Sequence, residues 1–129
     1  MQIVNPATDE VIKEIAVDGA ESVALKFRDL KRSQPSWGKT SLDHRIQIMK
    51  AFGQLLNDEI ETLAAVLTSE VGKPLQQSRN ELNGARTRIK WLVENAPKYL
   101  SDEIMGQESS LTEKIRYEAL GIVCNISAW

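Results

Sequence analysis

Few residues in this chain could carry chemistry, and their surroundings argue against most of it. Cys124 is the single cysteine. A reactive thiol needs a cationic neighbour or a helix N-terminus, together with partial exposure, to lower its pKa. Cys124 instead follows Ile122 and Val123 in an apolar run, where cysteine packs as a small hydrophobe, so a buried structural role is expected. His44 is the single histidine. No His-based metal cluster and no Ser-His-Asp or Cys-His relay can be completed around one imidazole with no plausible partner. Asp43-His44-Arg45 falls in the first turn of a helix, where an exposed histidine is commonplace.

Glu70-Val71-Gly72-Lys73-Pro74 (EVGKP) holds a Gly-Lys pair that resembles a phosphate loop only superficially. That loop needs a second glycine five residues earlier and Ser or Thr after the lysine, and it follows a strand. Here the two positions are Leu67 and Pro74, and a helix-Gly-turn-Pro-helix corner is expected instead. Glu59, Glu61 and Glu81 lie on helices of mixed charge, and no spacing aims a pair of them into one pocket as acid-base catalysis requires. No Gly-x-Gly-x-x-Gly fingerprint is present. The residues themselves therefore supply no catalytic group and no metal ligands.

Composition narrows the partners further. The chain has 129 residues and a net charge of −2, with a pI near 5.5. A nucleic-acid binder would show a clustered basic face, so none is expected. No run approaches the roughly 20 apolar residues that cross a bilayer, and MQIVNPATDE lacks the basic and apolar regions of a signal peptide. A lone cysteine fits a reducing compartment. A soluble, cytoplasmic protein without membrane contact is the expectation.

The elements that must position these residues follow from periodicity. Ile3-Val4 and Val11 to Val17 flank the turn-forming Asn5-Pro6-Ala7-Thr8-Asp9 and predict a β-hairpin. Asp18 to Glu21 has capping-box spacing ahead of a helix carrying Val23, Ala24, Phe27 and Leu30, which Pro35 closes, leaving Trp37 and Gly38 in a connector. Thr40 or Ser41 caps the next helix. The stripe Ile46, Met49, Gly53, Leu56, Ile60, Leu63, Leu67 then runs at steps of three and four, broken at Asn57-Asp58 into two helices at a tight corner. Asp58 to Glu61 repeats the box-like spacing. Gly72 ends the second of these helices, and Pro74 opens a third at its first helical position. Leu75, Ser78, Leu82, Ala85, Ile89, Leu92 and Ala96 extend that third helix to Pro97, while Arg79, Arg86, Arg88 and Lys90 form a solvated flank. Ser101 to Glu108 reads as a loop, and Leu111 to Glu118 as a half-buried strand with one wet face.

Ala119 to Trp129 (ALGIVCNISAW) is apolar and β-prone, like a strand buried on both faces in a parallel sheet. Such a strand needs partners delivered by long crossovers, and no residues follow to provide them. The chain is therefore expected to be the front part of a larger α/β protein. The expected fragment is mostly helical, with an N-terminal β-hairpin and two C-terminal strands.

Five pieces, in one order, resemble the N-terminal stretch of the aldehyde dehydrogenase superfamily. They are Val4-Asn5-Pro6-Ala7-Thr8; a helix and then Trp37; Arg45 ahead of an apolar helix; Leu63-Ala64 with Glu70-Val71-Gly72-Lys73-Pro74; and Tyr117-Glu118-Ala119-Leu120-Gly121-Ile122-Val123 leading to Ile126-Ser127-Ala128-Trp129. The resemblance implies a parent several times longer that oxidises a small-molecule aldehyde with NAD or NADP, through a cysteine and a glutamate lying beyond residue 129. It implies three regions: residues 1–108, the hairpin and helices of the cofactor-binding domain; residues 109–118, a strand through which subunits associate; and residues 119–129, the first strand of the cofactor-binding sheet. Ile126, Ser127, Ala128 and Trp129 would lie against the dinucleotide, one residue short of an asparagine that binds the oxyanion. Cys124 does not correspond to the nucleophile. Ala119 and Ala128 stand where the family usually has proline, which relaxes the backbone.

Two functions are thus in view. One is the front portion of an NAD(P)-dependent aldehyde dehydrogenase, inert by itself and homo-oligomeric through Leu111 to Glu118 in the parent. The other is a non-enzymatic helical interaction module that adds that strand to a partner's sheet.

Overall fold

The computed structural model describes residues 1–127. In chain order the elements are β1 (Gln2–Val4), β2 (Val11–Glu14), α1 (Ala20–Gly38), α2 (Leu42–Asp58), α3 (Ile60–Val71), α4 (Leu75–Leu100), β3 (Glu103–Glu108) and β4 (Leu111–Ile115). The strands form two separate antiparallel ribbons, β1 with β2 and β3 with β4. The expected composition, mostly helical with an N-terminal hairpin and C-terminal strands, is the one found.

The first hairpin turns where its sequence demands. The Asn5 side chain accepts the Ala7 amide at 2.9 Å, the Asn5 amide bonds the Glu10 carbonyl at 2.9 Å, and Asp9 takes φ 58°, a conformation that aspartate tolerates. β2 stops at Glu14, short of the Val17 expected.

The first helix departs from expectation at both ends. Gly19 is its N-cap, with no side-chain cap bond; the Asp18 carboxylate pairs with Lys26 instead, so the Asp18–Glu21 box does not form. Pro35 lies inside the helix rather than closing it. Its fixed φ is compatible with a helix and only one amide bond is forfeited, so a further turn follows. Trp37 and Gly38 are helical, and the end comes where the Thr40 hydroxyl and amide both donate to the Trp37 carbonyl at 2.6 and 3.0 Å. α1 buries no residue.

Helices α2, α3 and α4 make the packed body, α4 lying against both of the others. Ser41 caps α2, its Oγ accepting the His44 amide at 3.1 Å. Gly53 lets α2 approach α4, for a Cβ there would stand 3.3 Å from Ile89 Cγ2. Among the described residues, Ile46, Ala64 and Ile89 are the buried apolar ones, one from each helix. The corner at Asp58 is real, but Glu59 is the N-cap of α3 without a side-chain bond. Asp58 Oδ1 is taken up by the Gln54 amide at 2.8 Å, so the second box is also absent. Pro74 is the N-cap of α4, one place before the first helical position, and Pro97 sits within the helix, which runs on to Leu100.

The C-terminal third differs most. Glu103–Glu108, expected as loop, is strand β3, because β4 needs a hydrogen-bonding neighbour and this segment is next in line. The two meet across Ser109-Ser110, with Glu108 opposite Leu111 and a register shift between Ile104 and Gly106. β4 ends at Ile115, not Glu118, and every residue of it is exposed, so the expected dry face has nothing to cover it. Residues 119–127 form no strand. Leu120 is 93% and Ile126 91% exposed; only Ile122 is half-buried. Ala128 and Trp129 lie outside the described residues. Among the described residues, no helix is long and apolar enough to cross a membrane.

Candidate functional site

Of the four residues expected to face a dinucleotide, Ile126 and Ser127 are described, and both are exposed. Ile126 projects into solvent, and the exposed Ser127 donates its hydroxyl to Asn125 Oδ1 at 2.8 Å. Cys124, expected to be buried, is exposed, since the apolar neighbours that suggested burial have no sheet to enter. His44 is exposed in the first turn of α2, as expected. Among the described residues, no three His, Cys, Asp or Glu side chains converge as a metal site would require.

What the fold brings together is the pair of motifs at Asn5-Pro6 and Glu70 to Pro74. Gly72 closes α3 in the left-handed conformation, φ 76° and ψ 11°, its amide bonded to the Thr68 carbonyl at 2.8 Å. That conformation favours glycine because a Cβ would meet the following backbone. A second reason is spatial: a Cβ on Gly72 would lie 2.6 Å from Pro6 Cγ. The turn of the first hairpin thus rests on the α3–α4 corner. A cleft of about 320 Å³ beside it is lined by Asn5, Ala7, Thr68, Ser69, Gly72 and Leu75.

Polar ties hold this corner. Ser78 is fully buried, and its hydroxyl shares a 2.8 Å hydrogen bond with the Thr68 hydroxyl across the α3–α4 interface. Lys73 at the corner pairs with Glu81 on α4. Arg79 grips Glu61 side-on, Nε to Oε1 at 3.0 Å and Nη2 to Oε2 at 2.7 Å, so it is not part of a free solvated flank. That hydrogen-bonded guanidinium holds the Glu61 carboxyl below the ordinary carboxylate range, and the carboxylate in turn raises Arg79. Both groups keep access to solvent, so the pair orients the helices more than it stabilises them.

A second groove, about 480 Å³, runs between α2 and α4 past Lys50, Gln54, Asn83, Arg86 and Lys90. Its lining includes one carboxylate, Glu94, and no cysteine or histidine, so it holds neither a nucleophile nor an acid-base pair. What sequence reading missed is the seating of the first hairpin's turn on that α3–α4 corner. Its one local signal was Gly72 before Pro74; the contact with Pro6 spans segments that no periodicity connects.

The model of the "Aldehyde dehydrogenase family" matches residues 1–129. Among curated proteins, the chain is 30% identical to a 3,6-anhydro-alpha-L-galactose dehydrogenase of a Vibrio species, across 99% of this chain and 27% of that one. It is 28% identical to an Escherichia coli succinate semialdehyde dehydrogenase [NAD(P)+], across 98% and 27%. It is 25% identical to a Pseudomonas putida glutarate-semialdehyde dehydrogenase, across 100% and 27%. The chain thus spans about 27% of the length of these relatives. In fold it resembles a Methanocaldococcus jannaschii glyceraldehyde-3-phosphate dehydrogenase solved with NADP, with TM-score 0.77 and 23% identity across 84% of this chain and 24% of that one. A solved 3,6-anhydro-L-galactose dehydrogenase gives TM-score 0.75 and 24% identity across 85% and 23%. A match that runs from the first residue to the last, on an arrangement of helices these structures share, admits one reading: the chain belongs to the aldehyde dehydrogenase family.

Proposed function

We propose that these 129 residues are the N-terminal portion of an NAD(P)-dependent aldehyde dehydrogenase, a cytoplasmic enzyme that oxidises a small aldehyde to its carboxylic acid. The portion itself is catalytically inert. The carrying observation is the family match over residues 1–129 together with the 27% share of the relatives' length. The reacting groups and the cofactor turn belong to the remainder.

Within that enzyme, residues 1–108 are the hairpin and helices of the cofactor-binding domain. Residues 119–129 become the first strand of its sheet, with Ile126, Ser127, Ala128 and Trp129 against the dinucleotide. The exposure of Leu120, Val123 and Ile126 supports this, since side chains of that size belong in a core. Leu111 to Glu118 joins subunits by adding a strand edge, for which the one-sided pairing of β4 leaves an edge free. The same free edge is what favours the second reading, a non-enzymatic module that adds a strand to a partner.

The test is production of reduced nicotinamide with succinate semialdehyde, glutarate semialdehyde and 3,6-anhydro-galactose as the panel. The 129-residue chain is expected to give none above background, and the whole protein to turn over at least one. Turnover by the short chain, or none by the whole protein with any aldehyde, contradicts the assignment.

A further inference from the structure

Arg45 is one of the residues through which the chain resembles its family, yet the packing described so far leaves it idle. It stands in the first turn of α2. Its Nε is buried and has no hydrogen-bond partner, the one such side-chain nitrogen or oxygen among the described residues. Arg45 also enters none of their ion pairs. It lines an apolar groove of about 210 Å³ between the start of α2 and the end of α4, with Leu42, Ile46, Met49, Leu92, Ala96 and Leu100. Those side chains offer no acceptor. A buried donor without one is costly, and a guanidinium doubly so because its charge loses solvation as well.

We infer that this groove seats a segment from the rest of the protein, which covers the apolar side chains and sets a carboxylate on the Arg45 guanidinium. The inference rests on the longer chain of the reading above, of whose relatives these residues span 27%. The occupant is apolar where it meets Leu42, Met49 and Leu100. It is acidic at one point, because covering the groove removes the remaining water from a charge that only an opposite charge can balance. A carboxylate also matches the planar fork of arginine with two parallel hydrogen bonds, which no other side chain does as well.

The experiment is Arg45→Met in two settings, the 129-residue chain and the whole protein, with thermal unfolding followed in each. In the short chain the substitution removes an orphaned donor, so the midpoint is expected to stay or rise. In the whole protein it strands a buried carboxylate and lowers the apparent midpoint by roughly 5 °C or more. A merely local packing role would not reverse the sign. Arg45→Lys keeps the charge without the fork and is expected to fall between wild type and Arg45→Met in the whole protein. If the whole protein with Arg45→Met fails to fold, the Arg45→Lys shift decides. Equal shifts in the two settings, or a whole protein in which Arg45→Lys matches wild type, overturn the inference. So does a whole protein with nothing beyond residue 129. Aldehyde oxidation by the wild-type whole protein is measured alongside: if it is absent while the sign reversal holds, the dehydrogenase reading fails and the seated acidic segment stands.

Discussion

The α2–α4 body and the stretch after Leu100 show opposite relations between sequence and surroundings. In the body, apolar residues recur at helical spacing and meet one another: Ala64 is fully buried, and Ile46 and Ile89 are nearly so. The later stretch is as apolar in type, yet Leu111, Leu120, Val123 and Ile126 are all well exposed. Helices satisfy their backbone internally and need neighbours only for one stripe. Strands need neighbours for the backbone as well as for side chains. The same chain therefore yields a helical unit with a small core and, after Leu100, a ribbon and tail that bury almost nothing.

The largest effect that separates the two regions is expected at Gly72. Gly72→Ala forces a side chain into the left-handed conformation and against Pro6, a loss of about 2 kcal/mol or more. Chemical denaturation should record it, and Pro6→Ala in the same background should recover part of it. Next comes Ser78→Ala, which strands the Thr68 hydroxyl at the α3–α4 interface and should cost about 1–2 kcal/mol. Thr68→Val added to it should restore some of that loss if the hydroxyl pair is the cause. Removing the α2 cap with Ser41→Ala should cost about 1 kcal/mol, read as reduced helicity and a lower midpoint.

Acid sharpens the comparison, because one tie lies in each region. Arg79 depresses Glu61 in the body, and Lys114, hydrogen-bonded to Asp102 at 2.6 Å, depresses Asp102 in the second ribbon. A carboxyl whose folded pKa is lowered adds stability that is complete above its unfolded value, 4.5 for Glu61 and 3.8 for Asp102. That stability is lost as pH falls through the folded value. Arg79→Met should flatten the acid limb of the global unfolding curve, while Lys114→Met should alter only the local order of the β3–β4 ribbon. The smallest effect is expected in the tail: Val123→Ser or Ile126→Ser should change the short chain by less than about 0.5 kcal/mol and the whole protein by several times that.

The helices were legible because their information is local. Ser41 as cap, the Asn57-Asp58 corner and Gly72 as terminator are all written within a few residues of where they act. Pro35 and Pro97 misled, since a proline forfeits one bond and a crowded helix can carry that loss for another turn. Asp18 and Asp58 misled for a related reason: each had a competing partner, Lys26 and Gln54, that spacing does not reveal. Strand β3 went unseen because its residues, of which only Ile104 and Met105 are large and apolar, show no alternation, and its cause is β4. Residues 119–127 form no strand and Cys124 is exposed, because no sheet among the described residues is there to take them. The family motifs were legible as a resemblance, but their meeting at Pro6 and Gly72 was not.

Amide hydrogen exchange over residues 119–127, compared between the 129-residue chain and the whole protein, tests the central claim most directly. Near-random-coil exchange in the short chain and strong protection in the whole protein are predicted. Protection already present in the short chain, or equal exposure in both, would contradict an unfinished sheet awaiting the rest of an aldehyde dehydrogenase.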